Sequence, residues 1–399
     1  MAVPYSATAG IPFLRGRCQR GWRKTLMDRS STKPQRLMRT FRYSRSWRQG
    51  SLGIESTQVS IQREGQETPA TFVRPVEAPP RMACWIAIGG VSLKGRFHPQ
   101  LVRFTEALAS TGVGVLVPGL PEWRRLSVCP RVTAPTLRAS VNYLNGRSDV
   151  IPDSFGMIGF SFGAIGAVMA ASEEGMADQI NGAVVFGGYC CLERTLTCML
   201  SGRHEWQGDR HRLDPDPYGR WVVASNYLTR VPGYEDAGDV AEAMKRLATE
   251  ASGRRISAWE PFHDPMIRSL RESIPSDRRP IFDMLATPTT EPRPDSDECA
   301  EFARSLTDTC RAISPELDPH DRLGRVRVPT QVIHGRGDRL IPFTEARRLM
   351  DRLPTPAQRG VTVTGMINHS KDHTPPSPVE HAYEAGLLFR ALHRLVNTV

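Results

Sequence analysis

The chain reads as an α/β protein: a mostly parallel, twisted sheet with helices on both faces and a helical insertion ahead of its last strands. Three observations predict this. Short apolar runs, "ACWIAIGG" (83–90), "VGVLVPG" (113–119) and "INGAVVFGG" (180–188), end in glycine and lack strict alternation, as strands buried on both faces do. Helical periods of about ten residues separate such runs, the signature of strand–helix–strand crossovers. The rhythm then lapses over 191–325 and returns from residue 328.

Each element follows from its own pattern. "TQVSIQ" and "ATFVRP" alternate around Glu64-Gly65, an antiparallel hairpin. After the run at 83–90, "HPQLVRFTEALASTG" sets Leu101, Phe104 and Leu108 on one helical face, with Gly112 as a stop. The strand at 113–119 precedes "TLRASVNYLNG", where Leu137, Val141 and Leu144 repeat the helical spacing. "FGMIGF" is the next strand and "GAIGAVMAAS" the next helix. The insertion offers the helical pieces "VVASNYL", "DVAEAMKRLATEA", "MIRSLRES" and "ECAEFARSLTDTC", broken by prolines. "VPTQVIHG", "FTEARRLMDRL", "GVTVTG" and "HAYEAGLLFRALHRLV" complete the sheet and close the chain. The expected division is a basic arm at 1–50, a sheet core at 51–190 and 326–399, and a helical cap at 191–325.

Bulk properties narrow the function. The formal charge of +10 suggests nucleic acid until it is located. Residues 1–49 hold twelve Arg or Lys and one acid, +11 in all, so the rest of the chain is near −1. The core therefore offers no basic face for nucleic acid. The arm shows no hydrophobic periodicity and reads as disordered; a transit-like presequence and an electrostatic tether are the other readings. No apolar stretch reaches 18 residues, which argues against a membrane span. Eight cysteines show no C-x-x-C and no metal-ligand spacing. Cys299 and Cys310 are three helical turns apart, on one buried face, and reduced thiols in a cytoplasmic protein are expected.

Ser161 lies in Gly159-Phe160-Ser161-Phe162-Gly163, between a strand and a helix. A serine there takes strained dihedrals that lift its hydroxyl clear of the turn, and only small flanking residues leave room. A serine hydroxyl needs a base, and the base needs an orienting acid. "QVIHGRGDRLIP" supplies Asp338 after one later strand, and "VTVTGMINHSKDH" supplies His369 after the next. All three lie beyond the carboxyl ends of strands, where open α/β sheets place their sites. His373 competes with His369 as the base. The spacing of the two histidines is no metal helix, because Thr374-Pro375-Pro376 follows. Arg336 and His334 flank the acid and read as structural, and "DPDPYGRW", "FHDP" and "DPHDRL" read as turns.

On "GFSFG", "HGRGDRLIP" and "TGMINH", with the sheet pattern around them, the chain resembles the α/β-hydrolase superfamily over 55–190 and 326–399. More narrowly it is similar to bacterial hydrolases with a helical insertion before the acid. The resemblance implies a serine hydrolase with Ser161, Asp338 and His369 as triad and a small-molecule carboxylic ester as substrate. It also implies an oxyanion hole from the backbone N–H groups of Phe162 and Val91. Gly89 stands where many relatives carry a histidine that braces this loop. No metal or organic cofactor is implied. An acyltransferase using the same triad and a non-catalytic binding module remain open alternatives.

Overall fold

The computed structural model describes residues 32–171, 173–254, 256–292, 296–367 and 377–399. Helix α1 (Lys33–Gln49) precedes the strands β1 (Ile54–Arg63), β2 (Gln66–Pro75) and β3 (Met82–Ile88). Then come α2 (Pro99–Ala109), β4 (Gly114–Pro118), the single turn α3 (Pro121–Arg124), α4 (Thr133–Asn145), β5 (Val150–Phe160), α5 (Phe162–Ala170) and β6 (Ile180–Phe186). The insertion carries α6 (Leu192–Ser201), the hairpin β7 (Arg203–Trp206) and β8 (Asp209–Arg212), and helices α7 (Tyr218–Tyr227), α8 (Gly238–Arg254), α9 (Asp264–Ser273), α10 (Arg279–Leu285) and α11 (Ser296–Ile313). The closing elements are β9 (Thr330–Gly335), α12 (Phe343–Arg352), β10 (Gln358–Thr364) and α13 (Pro378–Val396).

Eight strands form one sheet in the order β1-β2-β4-β3-β5-β6-β9-β10. Strand β2 pairs antiparallel with both β1 and β4, and every other pairing is parallel. The turn between β1 and β2 falls at Glu64 (φ 51°) and Gly65 (φ 79°), the two positive dihedrals of a two-residue hairpin. On one face of the sheet Leu101, Phe104 and Leu108 of α2 share a buried cluster with Leu392 and Leu395 of α13. On the other, Leu137, Val141 and Leu144 of α4, Val168 of α5 and Leu349 of α12 share a second. The apolar runs read as two-sided strands are covered on both faces, as β3 shows: Cys84, Trp85, Ile86 and Ala87 are fully buried.

Two expectations are corrected. Part of the basic arm is ordered: α1 packs on α13 and α2. Phe41 meets Phe389 (centroids 5.5 Å apart), Tyr43 meets Phe104 edge-on at 5.7 Å, and Thr40 Oγ1 lies 2.8 Å from His393 Nδ1. Its buried residues are Thr40, Tyr43 and Ser46, a mainly polar stripe that leaves no hydrophobic period to read. The legible signal was the start: Thr32 and Gln35 form a reciprocal capping box with Pro34 in the first turn. Residues 1–31 lie outside the described residues. The insertion, in turn, is not wholly helix and loop. "RHEW" and "DRHR" pair through a turn at Gln207 (φ 51°) and Gly208 (φ 89°), although neither strand alternates apolar with polar residues.

Candidate active site

The turn from β5 into α5 holds Ser161 at φ 53°, ψ −123°. A non-glycine residue with positive φ is uncommon and strained. Two backbone hydrogen bonds hold it there: Ser161 N donates to Phe186 O (2.8 Å), and Ala164 N donates to Ser161 O (2.9 Å). The flanking glycines are sterically required. A Cβ on Gly159 would fall 2.3 Å from Gly163 O, and one on Gly163 would fall 2.2 Å from Gly89 O. Helix α5 therefore starts in contact with the loop that follows β3. In that loop Gly90 faces the serine, since a Cβ there would lie 3.3 Å from Ser161 Cβ and 3.5 Å from Oγ. Phe162 and Val91 thus sit on the two segments that bound the serine. The Phe162 ring packs edge-on against Trp123 at 4.9 Å.

Strand order brings the acid to the same edge. Phe160 of β5 is in register with Phe186 of β6, and Phe186 with Ile333 of β9. The loops after β5 and β9 therefore leave the sheet two strand spacings apart, about 10 Å. Asp338 is 1% exposed. Its Oδ1 accepts from Leu340 N (2.9 Å) and Ile341 N (3.0 Å), and its Oδ2 lies 3.2 Å from His334 Nε2. His334 is itself fully buried, with Nε2 2.9 Å from Ile341 O. A carboxylate gripped this way keeps its orientation. His334 was legible only as a structural neighbour, and its contact with the acid depends on the loop folding back over its strand.

His369 and His373 lie outside the described residues. The start of their segment is pinned: Gly365 N donates to Glu384 Oε2 (2.9 Å), and Arg336 Nη2 donates to Glu384 Oε1 (2.7 Å). Burial would push the Glu384 carboxyl up. The Gly365, Arg336 and Thr364 hydrogen bonds, with the Arg336 charge, outweigh it and hold the group below its ordinary range. This brace ties the strand end before 369 to the loop of Asp338, and sequence reading saw only Arg336.

The insertion lies over the serine turn. Its buried cluster, with Trp221, Leu247, Phe282, Phe302 and the free thiols of Cys299 and Cys310, also contains Ile165 and Met169 of α5, and Val91, Leu93 and Phe162 pack against it. A cavity of about 900 Å³ lies elsewhere, beneath the hairpin β7–β8 and lined by Arg203, His204, His211 and Arg348 among others; Ser161 does not line it. Among the described residues no group of three or more His, Cys, Asp or Glu has metal-holding geometry. No described helix is long and apolar enough to cross a membrane.

The strand order with its single reversed strand, and the strained serine turn at the carboxyl edge, define an α/β-hydrolase fold. No family model matches the chain, and no curated protein matches it. Solved structures that superpose on it include Est1E from Butyrivibrio proteoclasticus (12% identity, 85% of this chain, 96% of that one, TM-score 0.44). A second is brefeldin A esterase, a bacterial homologue of human hormone sensitive lipase (13%, 92%, 85%, 0.46). A third is the Pyrococcus horikoshii acylaminoacyl peptidase (11%, 81%, 38%, 0.42). At such identities and TM-scores no substrate carries over from any of them, and the fold rests on the topology.

Proposed function

We propose that this chain is a serine hydrolase of carboxylic esters. Ser161 attacks the ester carbonyl, with His369 taking its proton and passing it to the leaving alcohol. Asp338 holds the imidazole tautomer and offsets its charge. An acyl-enzyme forms, and water releases it. The N–H groups of Phe162 and Val91 receive the developing oxyanion at the start of α5, where the helix dipole adds to them. The segment 191–325 acts as a cap that excludes water and shapes the pocket.

The observation that carries this reading is the strained backbone of Ser161, with Gly90 packed against its side chain. Strain of order 1–3 kcal/mol at one residue persists only where the surroundings enforce it. Among the five described non-glycine residues with positive φ, Ser161 is the one at a strand-to-helix junction.

A fluorophosphonate probe tests the nucleophile: it should label the wild type and not Ser161→Ala, and an unlabelled, folded wild type would refute the proposal. A panel of p-nitrophenyl esters of rising chain length, with and without added alcohol or amine acceptors, then separates hydrolysis from acyl transfer. His369→Ala should abolish turnover and His373→Ala should not; the reverse result moves the base to 373.

A further inference from the structure

The loop that offers Val91 N–H to the oxyanion has Gly89-Gly90 ahead of it, and beyond Val91 it is held within the core by Arg124 Nε donating to Leu93 O (3.0 Å) and Gly95 N donating to Ser92 Oγ (3.2 Å). Two hydrogen bonds reach it from the insertion. Tyr218 Oη, at the first residue of α7, donates to Val91 O at 3.1 Å. Leu93 N donates to Ser252 Oγ, in the last turn of α8, at 3.2 Å. Two of the loop's peptide groups, on either side of Ser92, are therefore held by side chains of two cap helices. Tyr218 is held at its base as well, its N–H donating to Asp216 Oδ1 at 2.9 Å.

We propose that the cap sets the oxyanion loop through Tyr218 and Ser252, which act as positioning residues for the Val91 N–H donor. The proposal rests on the serine-hydrolase reading above. Its chemical content is that oxyanion stabilisation depends on the cap being seated, because the clamp stands in for a side-chain brace at Gly89. Burial pushes the Tyr218 phenol up to about 12, so it remains a neutral donor through the working pH range. Upstream, Gly90 is limited by Ser161, whose Cβ is 3.3 Å from where a Gly90 Cβ would stand.

The test compares Tyr218→Phe, Ser252→Ala and the double variant with the wild type, on a p-nitrophenyl ester and on the matching thionoester. Tyr218→Phe keeps the ring and its packing while removing the donor. The expected result is a kcat lower by about tenfold at unchanged KM, short of the roughly 10²–10³-fold loss when an oxyanion donor itself is removed. The ester should lose more than the thionoester, whose sulfur depends less on aligned N–H donors. The double variant should fall short of the product of the two single losses, since both side chains act on the peptide groups flanking Ser92. Wild-type kcat in both single variants, with Ser161→Ala inactive, overturns the clamp and spares the nucleophile. Equal losses on ester and thionoester, matched by a fall in Tm, make Tyr218 a stability residue and also overturn it. Failure of the wild type to label at Ser161 overturns both readings together.

Discussion

Replacing Gly163 with alanine would put a methyl carbon 2.2 Å from Gly89 O and 2.9 Å from Ile88 O. Real Cβ atoms essentially never come within 3.0 Å of a neighbour, so α5 and the loop after β3 must part by about 0.8 Å. Both obstacles are main-chain oxygens, with no rotamer to turn aside. Overpacking of this kind costs about 1–3 kcal/mol of stability. The same displacement separates Phe162 N–H from Val91 N–H, and misplacing reacting groups by about 1 Å costs on the order of 100-fold in rate. Gly163→Ala should therefore melt a few degrees early while losing about two decades of kcat on a p-nitrophenyl ester, normalised to folded protein. Gly386→Ala is the control: it lies exposed in α13 with nothing within 4 Å of its Cβ, and should be neutral or gain about 0.5–1 kcal/mol. Full activity in Gly163→Ala would refute the claim that this contact sets the two donors.

Other outcomes follow from contacts farther out. The Glu384 carboxyl is held below its ordinary value of 4.5, so its contribution is complete above that value and is lost as pH falls through the lower folded-state value. Glu384→Gln should melt earlier than wild type at pH 7, and thermal scans should show the gap closing in acid; a gap of constant size would disprove the charge's role. Deleting residues 1–50 removes α1 and uncovers Phe104 and His393. Loss of the buried Tyr43 side chain alone should cost about 1.5–3 kcal/mol, read by urea unfolding, and an unchanged midpoint would show that the helix contributes nothing.

What was legible in the sequence was what local patterning encodes. The strands buried on both faces announced themselves as glycine-terminated apolar runs, the first hairpin as Glu64-Gly65, and the serine turn as glycines two residues to either side. Helix α1 escaped because its inward stripe is Thr40, Tyr43 and Ser46, residues that settle their polar groups by hydrogen bonds and ring packing instead of apolar periodicity. The hairpin at 203–212 escaped for a similar reason, its strands being mostly charged. The insertion's partners of the loop after β3 are 127 and 159 residues away in sequence, and no spacing rule links a tyrosine and a serine at such distances. Asp338 was singled out from its loop motif, whereas its contact with His334 needed the fold-back that sets Ile341 beside the strand.

The roof of this molecule and the floor beneath it share one hydrophobic interior: Trp221, Leu247 and Phe302 belong to the same buried cluster as Ile165 and Met169, whose helix starts next to Ser161. Substrate preference is for that reason hard to exchange as a cassette. A foreign insertion spliced between residues 191 and 325 would inherit the apolar flank of α5 without the side chains shaped to fill it, and the resulting void would lie against the turn that strains Ser161. Transplanting specificity onto this scaffold therefore means carrying part of the scaffold along.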